Sequence, residues 1–151
     1  MQIRLATERD IDQLIRMRYD FTLEYAPEIN ADYEIFYLEC KTFLEKAITG
    51  ARWFIWVAEV DEKVVSHIYI QLIDKVPRPG RITYPFGYVT NVYTLPLFRS
   101  KGIGSQIIKS VERWAKEGNL EFLIVWPSME GVPFYERNGY ANAAEAMELH
   151  L

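Results

Sequence analysis

Apolar positions change their period along the chain, and each change marks an element. Ile3 to Leu5 reads as a short strand, after which Thr7 is a cap candidate with Glu8 and Asp10 in the first turn of a helix. Ile11, Leu14, Ile15, Arg18 and Tyr19 then follow at roughly helical spacing. Pro27 breaks this segment, and Asn30 or Asp32 caps a second helix that runs to about Ile48 and is closed by Gly50. The pattern then becomes β-rich. From Trp53 to Gln71, WFIWVAEV and VVSHIYIQLI flank the charged turn Asp61-Glu62-Lys63 and predict an antiparallel hairpin. Pro77, Pro79 and Gly80 mark a loop, and Phe86 to Thr94 is a third long strand. From Gly102 to Lys116, Ile103, Ile107, Ile108, Val111, Trp114 and Ala115 share one helical face, with Gly118-Asn119 as the stop. Leu120 to Trp126 is a short apolar run bounded by Pro127, as a buried strand requires. A short helix from Val132 to Arg137 and a last strand near Met147 to Leu151 complete the order β, α, α, β, β, β, α, β, α, β. That order predicts an α/β fold, a mixed central sheet with helices on its faces.

With 151 residues, 50% hydrophobic and 25% charged, the chain fits one globular domain over residues 1–151 and excludes a disordered or fibrous protein. The net charge of -4 argues against nucleic acid as a partner, because phosphate backbones are bound by clustered Lys and Arg. Cys40 is the only cysteine and His67 and His150 the only histidines, so no internal disulfide can form and no metal-ligand spacing is present. Met1 to Ala6 meets charged residues at once, without an apolar run for a signal peptide or membrane anchor. The expected location is the cytoplasm.

The segment Asn91 to Ser105 carries the chemistry. A strand ends, a basic turn follows, and Gly102-Ile103-Gly104 opens a helix, so N–H groups at the helix start face outward toward an anion. Between Pro96 and Lys116, Arg99, Lys101, Lys109, Arg113 and Lys116 stand against one acid, Glu112. The loop is not that of the common nucleotide folds: it lacks G-x-x-x-x-G-K-[ST], and Ile107 occupies the third glycine position of G-x-G-x-x-G. Taken alone, Gly-x-Gly is equally a turn beside a solvated basic helix face.

Arg99-Ser100-Lys101-Gly102-Ile103-Gly104, preceded by Pro96 and the strand ending at Thr94, resembles the R/Q-x-x-G-x-G/A loop of the GNAT superfamily of acyl-CoA-dependent N-acetyltransferases. Downstream, Val132-Pro133-Phe134-Tyr135-Glu136-Arg137-Asn138-Gly139-Tyr140 is similar to that family's fYe..GF segment and follows the strand Glu121 to Trp126, as in the family. The resemblance implies acetyl-CoA in a V-shaped gap between two splayed parallel strands. Main-chain groups of Val92, Tyr93 and Thr94 would meet the pantetheine and the thioester carbonyl. Arg99 and the amides of Ser100, Lys101, Gly102, Ile103, Gly104 and Ser105 would hold the pyrophosphate. Ser128 takes a position where many relatives carry a cofactor-touching Asn. Tyr135 matches the tyrosine assigned as acid toward the leaving thiolate. The activity implied is transfer of an acetyl group to a primary amine by direct attack through a tetrahedral intermediate, with a homodimer common among relatives. An acyl-CoA-binding sensor on the same fold is the alternative, and a lookalike that binds another phosphate ligand a third.

The base is open, because Phe86 to Asn91 has no acid where many relatives place a Glu. Glu24, Asp32 or Glu34, or a water chain through Tyr88 or Asn91, are the candidates. His67, between apolar neighbours, reads as a sheet residue, and Cys40 as core. Residues 20–40 hold Asp20, Glu24, Glu28, Asp32, Glu34 and Glu39 without Lys or Arg. With Tyr25, Tyr33, Phe36 and Tyr37, this stretch is either an acidic, aromatic lining for a cationic small amine or peptide amine, or a solvated helix face beside the core.

Overall fold

A computed structural model describes all residues, 1–151. Five strands form one sheet in the order β1-β2-β3-β4-β5: β1 Gln2–Leu5, β2 Trp53–Val60, β3 Lys63–Ile73, β4 Phe86–Thr94 and β5 Leu123–Val125. The first four are antiparallel neighbours, and β4 pairs β5 in parallel across a helical crossover. The helices are α1 (Ile11–Tyr25), α2 (Tyr33–Thr49), α3 (Ile103–Glu117) and α4 (Val132–Arg137). Thr7 opens a 3-10 turn, Glu8–Asp10, that leads into α1. Asp10 is buried there and its carboxylate is fixed by Arg4, which also reaches Glu59 on β2. Asp32 caps α2, its carboxylate accepting from the Ile35 amide at 3.0 Å.

Each sheet face carries its own core. On one, α1 and α2 bury Ile11, Leu14, Ile15, Met17, Leu44 and Ala47 against Ile55, Val57, Tyr69 and Tyr93. On the other, α3 buries Ile103, Ile107, Ile108 and Val111 against Ala58, Val65, Ile68, Ile70 and Val89, with Tyr135 of α4 at the margin. Helical spacing selects the α3 face, and burying each large aliphatic side chain stabilises by about 1.5–3 kcal/mol.

Two bulges interrupt the alternation. In β3, Ala58↔Ser66 is followed by Glu59↔Val64, leaving Val65 as the extra residue. Val65 packs on the α3 side with Ile68 and Ile70, while His67 turns to Tyr69 and Tyr93 on the α1/α2 side. Val65 and His67, two residues apart, therefore face opposite sides of the sheet. In β4, His67↔Tyr93 and Tyr69↔Thr90 set three steps against two, and Asn91 takes φ 45° to absorb the extra residue. Asparagine tolerates that left-handed conformation better than most residues.

The strand expected near Met147 to Leu151 is not formed. Met147, Leu149 and Leu151 are fully exposed, and the chain beyond α4 holds only turns and extended backbone. Alternation makes a strand only where an edge supplies partners, and β5 offers three residues. β5 is also shorter than the Leu120–Trp126 run because Leu120 and Glu121 donate to Ala115 and Pro85 outside the sheet.

Candidate active site

The parallel pairing of β4 and β5 runs from Gly87↔Leu123 to Val89↔Val125 and stops. β4 continues to Thr94 while β5 ends, so Val92, Tyr93 and Thr94 have no strand on that edge. This is the expected gap. The chain then turns through Pro96–Phe98, and Ser100 and Gly102 adopt φ 59° and 74°. Such left-handed steps turn successive amides to one side and form an anion-binding concavity. None of the six amides from Ser100 to Ser105 donates to an acceptor in the protein; the first inward bond of α3 is Gln106 N–H to Gly102 O, 3.1 Å. Buried or not, that many idle donors at the positive end of a 15-residue helix favour an anion.

The two glycines serve different ends. Gly102 needs its left-handed φ, and a Cβ there would stand in open space. At Gly104 a Cβ would come 3.2 Å from the Phe134 ring, so this glycine lets α3 pack closely on α4.

α4 brings Tyr135 to the gap. The residue is 8% exposed, between Phe134 and Tyr140 and near Tyr88 of β4. Burial pushes the phenol up to about 12, so it holds its proton throughout the neutral range. The hydroxyl makes no hydrogen bond within the protein and is free to donate. Tyr88 meets Trp126 edge-on at 4.8 Å. Ser128 turns its hydroxyl to the Gly131 amide at 3.2 Å, fixing the entry into α4.

The acceptor side is less open than its acid count suggests. Arg99 does not stand free: its guanidinium grips Glu24 at 2.6 and 2.8 Å and its Nε donates to Thr94 O at 2.9 Å. Tyr93 also donates to Glu24, at 3.1 Å. These bonds, the Arg99 one foremost, hold the Glu24 carboxyl below its ordinary range, which makes it a poor base. Asp20 pairs with Arg16 at 2.9 Å, and Asp32 is occupied as a cap. Tyr33 packs against Tyr19, Tyr37 and Arg16 within the helical pair, and Tyr25, largely exposed, meets Phe21. Of the expected lining, Glu24, Tyr88 and Asn91 are brought to β4, whereas the contacts of Asp32 and Tyr33 stay between α1 and α2.

Two groups at the bulge carried no obvious signal. Asn91 O accepts from Nδ1 of His67 at 2.8 Å, and the other ring nitrogen, Nε2, is buried without a partner. Because a carbonyl only accepts, the proton sits on Nδ1. Arg18 of α1 donates from Nη1 to Asn91 Oδ1 at 3.3 Å. An asparagine inside the β-run Val89-Thr90-Asn91-Val92 was the available hint of a bulge. Concavities of about 510 and 360 Å³ lie elsewhere, around Asp12, Tyr37 and Lys41, and around Ala115, Leu120 and Tyr140. Neither contains the idle amides.

The family model described as acetyltransferase (GNAT) family matches residues 15–140. The chain belongs to that family. This GNAT domain is 28% identical over 116 residues to an uncharacterized N-acetyltransferase, YjcF, of Bacillus subtilis (strain 168), covering 74% of this chain and 79% of the relative. Among solved structures it superposes on a predicted acetyltransferase with acetyl-CoA from Clostridium acetobutylicum with TM-score 0.82, at 27% identity, over 99% of this chain and 95% of the other. A GCN5-related N-acetyltransferase from Ralstonia eutropha JMP134 shares the fold, with TM-score 0.76 and 22% identity over 99% and 97% of the two chains. The protein is accordingly an acyltransferase whose acyl donor is acetyl-CoA. No helix is long and apolar enough to cross a membrane.

Proposed function

We propose that this GNAT domain, taken as one unit over residues 1–151, acetylates a primary amine by direct attack on the acetyl-CoA thioester. The six unpartnered amides from Ser100 to Ser105, at the foot of the β4–β5 gap, carry the reading. They suit a diphosphate, and the uncovered edge at Val92, Tyr93 and Thr94 suits the pantetheine arm. The donor supplies an activated acetyl group; the residues bind, orient and manage protons. An N–H of β4 beside the thioester carbonyl stabilises the oxygen as negative charge develops. The amine attacks in its neutral form, its N–C bond forms first and the C–S bond then breaks as the carbonyl is restored, and one amine proton passes overall to the sulfur. Tyr135, kept protonated by burial, donates its hydrogen bond to that sulfur. Its bonds to Arg99 make Glu24 a poor base, which supports routing deprotonation of the amine through water at Tyr88 and Asn91.

The test is release of free CoA thiol from acetyl-CoA with a panel of amines, beside calorimetric binding of acetyl-CoA. Saturable binding with amine-dependent thiol release is expected. Saturable binding with no amine consumed would make the protein a sensor, and no binding would remove both readings.

A further inference from the structure

On the α1 side of the gap, one cation has no carboxylate partner. Of α1's two arginines, Arg16 pairs with Asp20 at 2.9 Å, while Arg18 has no carboxylate partner. Glu24, the nearest acid toward the gap on the same helix, is gripped by Arg99. Arg18 instead rests over the Phe21 ring, 5.3 Å from its centroid, and makes one long hydrogen bond, to Asn91 Oδ1. Its other donors, Nε and both protons on Nη2, carry no partner, and together they form the side of the guanidinium that accepts a carboxylate through two parallel bonds. The polar groups beneath it bring no counter-charge: His67 is fully buried and neutral, and Tyr69 and Cys40 are uncharged. Arg18 is exposed, so a ligand reaches it without displacing the core.

Position gives this cation its use. Asn91 is the bulged residue of β4, immediately before Val92, Tyr93 and Thr94. Successive Cα atoms lie about 3.8 Å apart, so an anion on Arg18 would stand close to the β4 edge that the acetyltransferase reading assigns to the thioester carbonyl.

Resting on the acetyltransferase reading above, we propose that Arg18 selects the acceptor, and that the acceptor is an amino acid with a free carboxylate. The carboxylate pairs with Arg18, and the amine faces the thioester. The carboxylates of Asp20, Glu24 and Asp32 are already engaged and offer a polyamine little counter-charge beside Arg18.

The experiment compares kcat/KM for free amino acids with that for their carboxamides, in the wild type and in Arg18→Gln. A second readout is calorimetric binding of N-acetylated amino acids and their amides in the presence of CoA. The expected wild-type preference for the acid is about tenfold or more, residing in KM, the usual size for a charge-assisted pair. Arg18→Gln should bring the ratio near one in both measurements, and Arg18→Lys should restore part of it. Amides used as well as acids, or a ratio unmoved in Arg18→Gln, would overturn this proposal and leave acetyl transfer standing. Turnover of neither set while other amines release CoA thiol would overturn this proposal alone, and no thiol release with amines of any class would overturn both.

Discussion

The two sides of the β4–β5 gap are built from different materials. The donor side presents main chain: idle amides from Ser100 to Ser105 and the uncovered edge from Val92 to Thr94. On the acceptor side stand side chains from α1 and the bulge, and most of their charges are already spent on one another. A backbone cradle is indifferent to most substitutions outside its glycine, so many sequences can hold the same donor. A side-chain lining changes with each residue, and there we place the choice of acceptor.

The comparison is broken most directly at Tyr135, which the proposed mechanism places at the reacting bond. Tyr135→Phe keeps the ring in its slot and removes the proton, so kcat should fall about 10²–10⁴-fold while calorimetric acetyl-CoA affinity stays near wild type. Unchanged turnover would assign protonation of the sulfur to solvent.

What was legible in the residues follows the same division. α3 and its loop are local: a glycine at the left-handed turn and an apolar face repeating from Ile103 to Ala115 specify them within twenty residues. The parallel neighbour and Tyr135 likewise follow from short motifs in order. The Glu24–Arg99 pair spans 75 residues, and no periodicity reports it. Counting acids between residues 20 and 40 left a negative lining and a solvated helix face as alternatives, and the count could not show that Asp32 is a cap and that Glu24 and Asp20 pair with arginines. The tail shows the opposite failure: Met147, Leu149 and Leu151 have a strand's period and no edge to pair with.

His67 sharpens the boundary between the sides, because its Nδ1–H holds the Asn91 carbonyl at the bulge. Burial lowers its pKa from the ordinary 6.5 to about 4. As pH falls through that interval the unfolded chain takes up a proton that the folded protein refuses, so stability declines from about pH 6.5 to about pH 4. The loss is at most roughly 3 kcal/mol. Thermal melts across this window should show the decline, and His67→Gln should flatten it. A profile equally steep in the variant would place the titrating group elsewhere.

Gly102 tests the cradle. Gly102→Val forces a β-branched residue to φ 74°, at about 1–2 kcal/mol of strain, or tilts the loop amides away from the anion. Acetyl-CoA affinity should weaken about tenfold by calorimetry. Gly104→Ala should instead lower the melting temperature with a smaller effect on binding, since its Cβ meets Phe134. If the two variants behaved alike, the distinct roles of the glycines would be lost.

The smallest effect is expected where the two sides touch. Arg99 reaches a phosphate only by leaving Glu24, and partly exposed pairs of this kind contribute about 0.2–1 kcal/mol. Glu24→Gln weakens that grip while Arg99 Nε keeps Thr94 O, so acetyl-CoA should bind up to about fivefold more tightly at low salt, the gain shrinking as salt screens the charges. Weaker binding would mean that Glu24 orients Arg99 toward the donor instead of competing for it. A collapse of kcat with affinity untouched would return this carboxylate to the acceptor as its base, against the low pKa that Arg99 imposes on it.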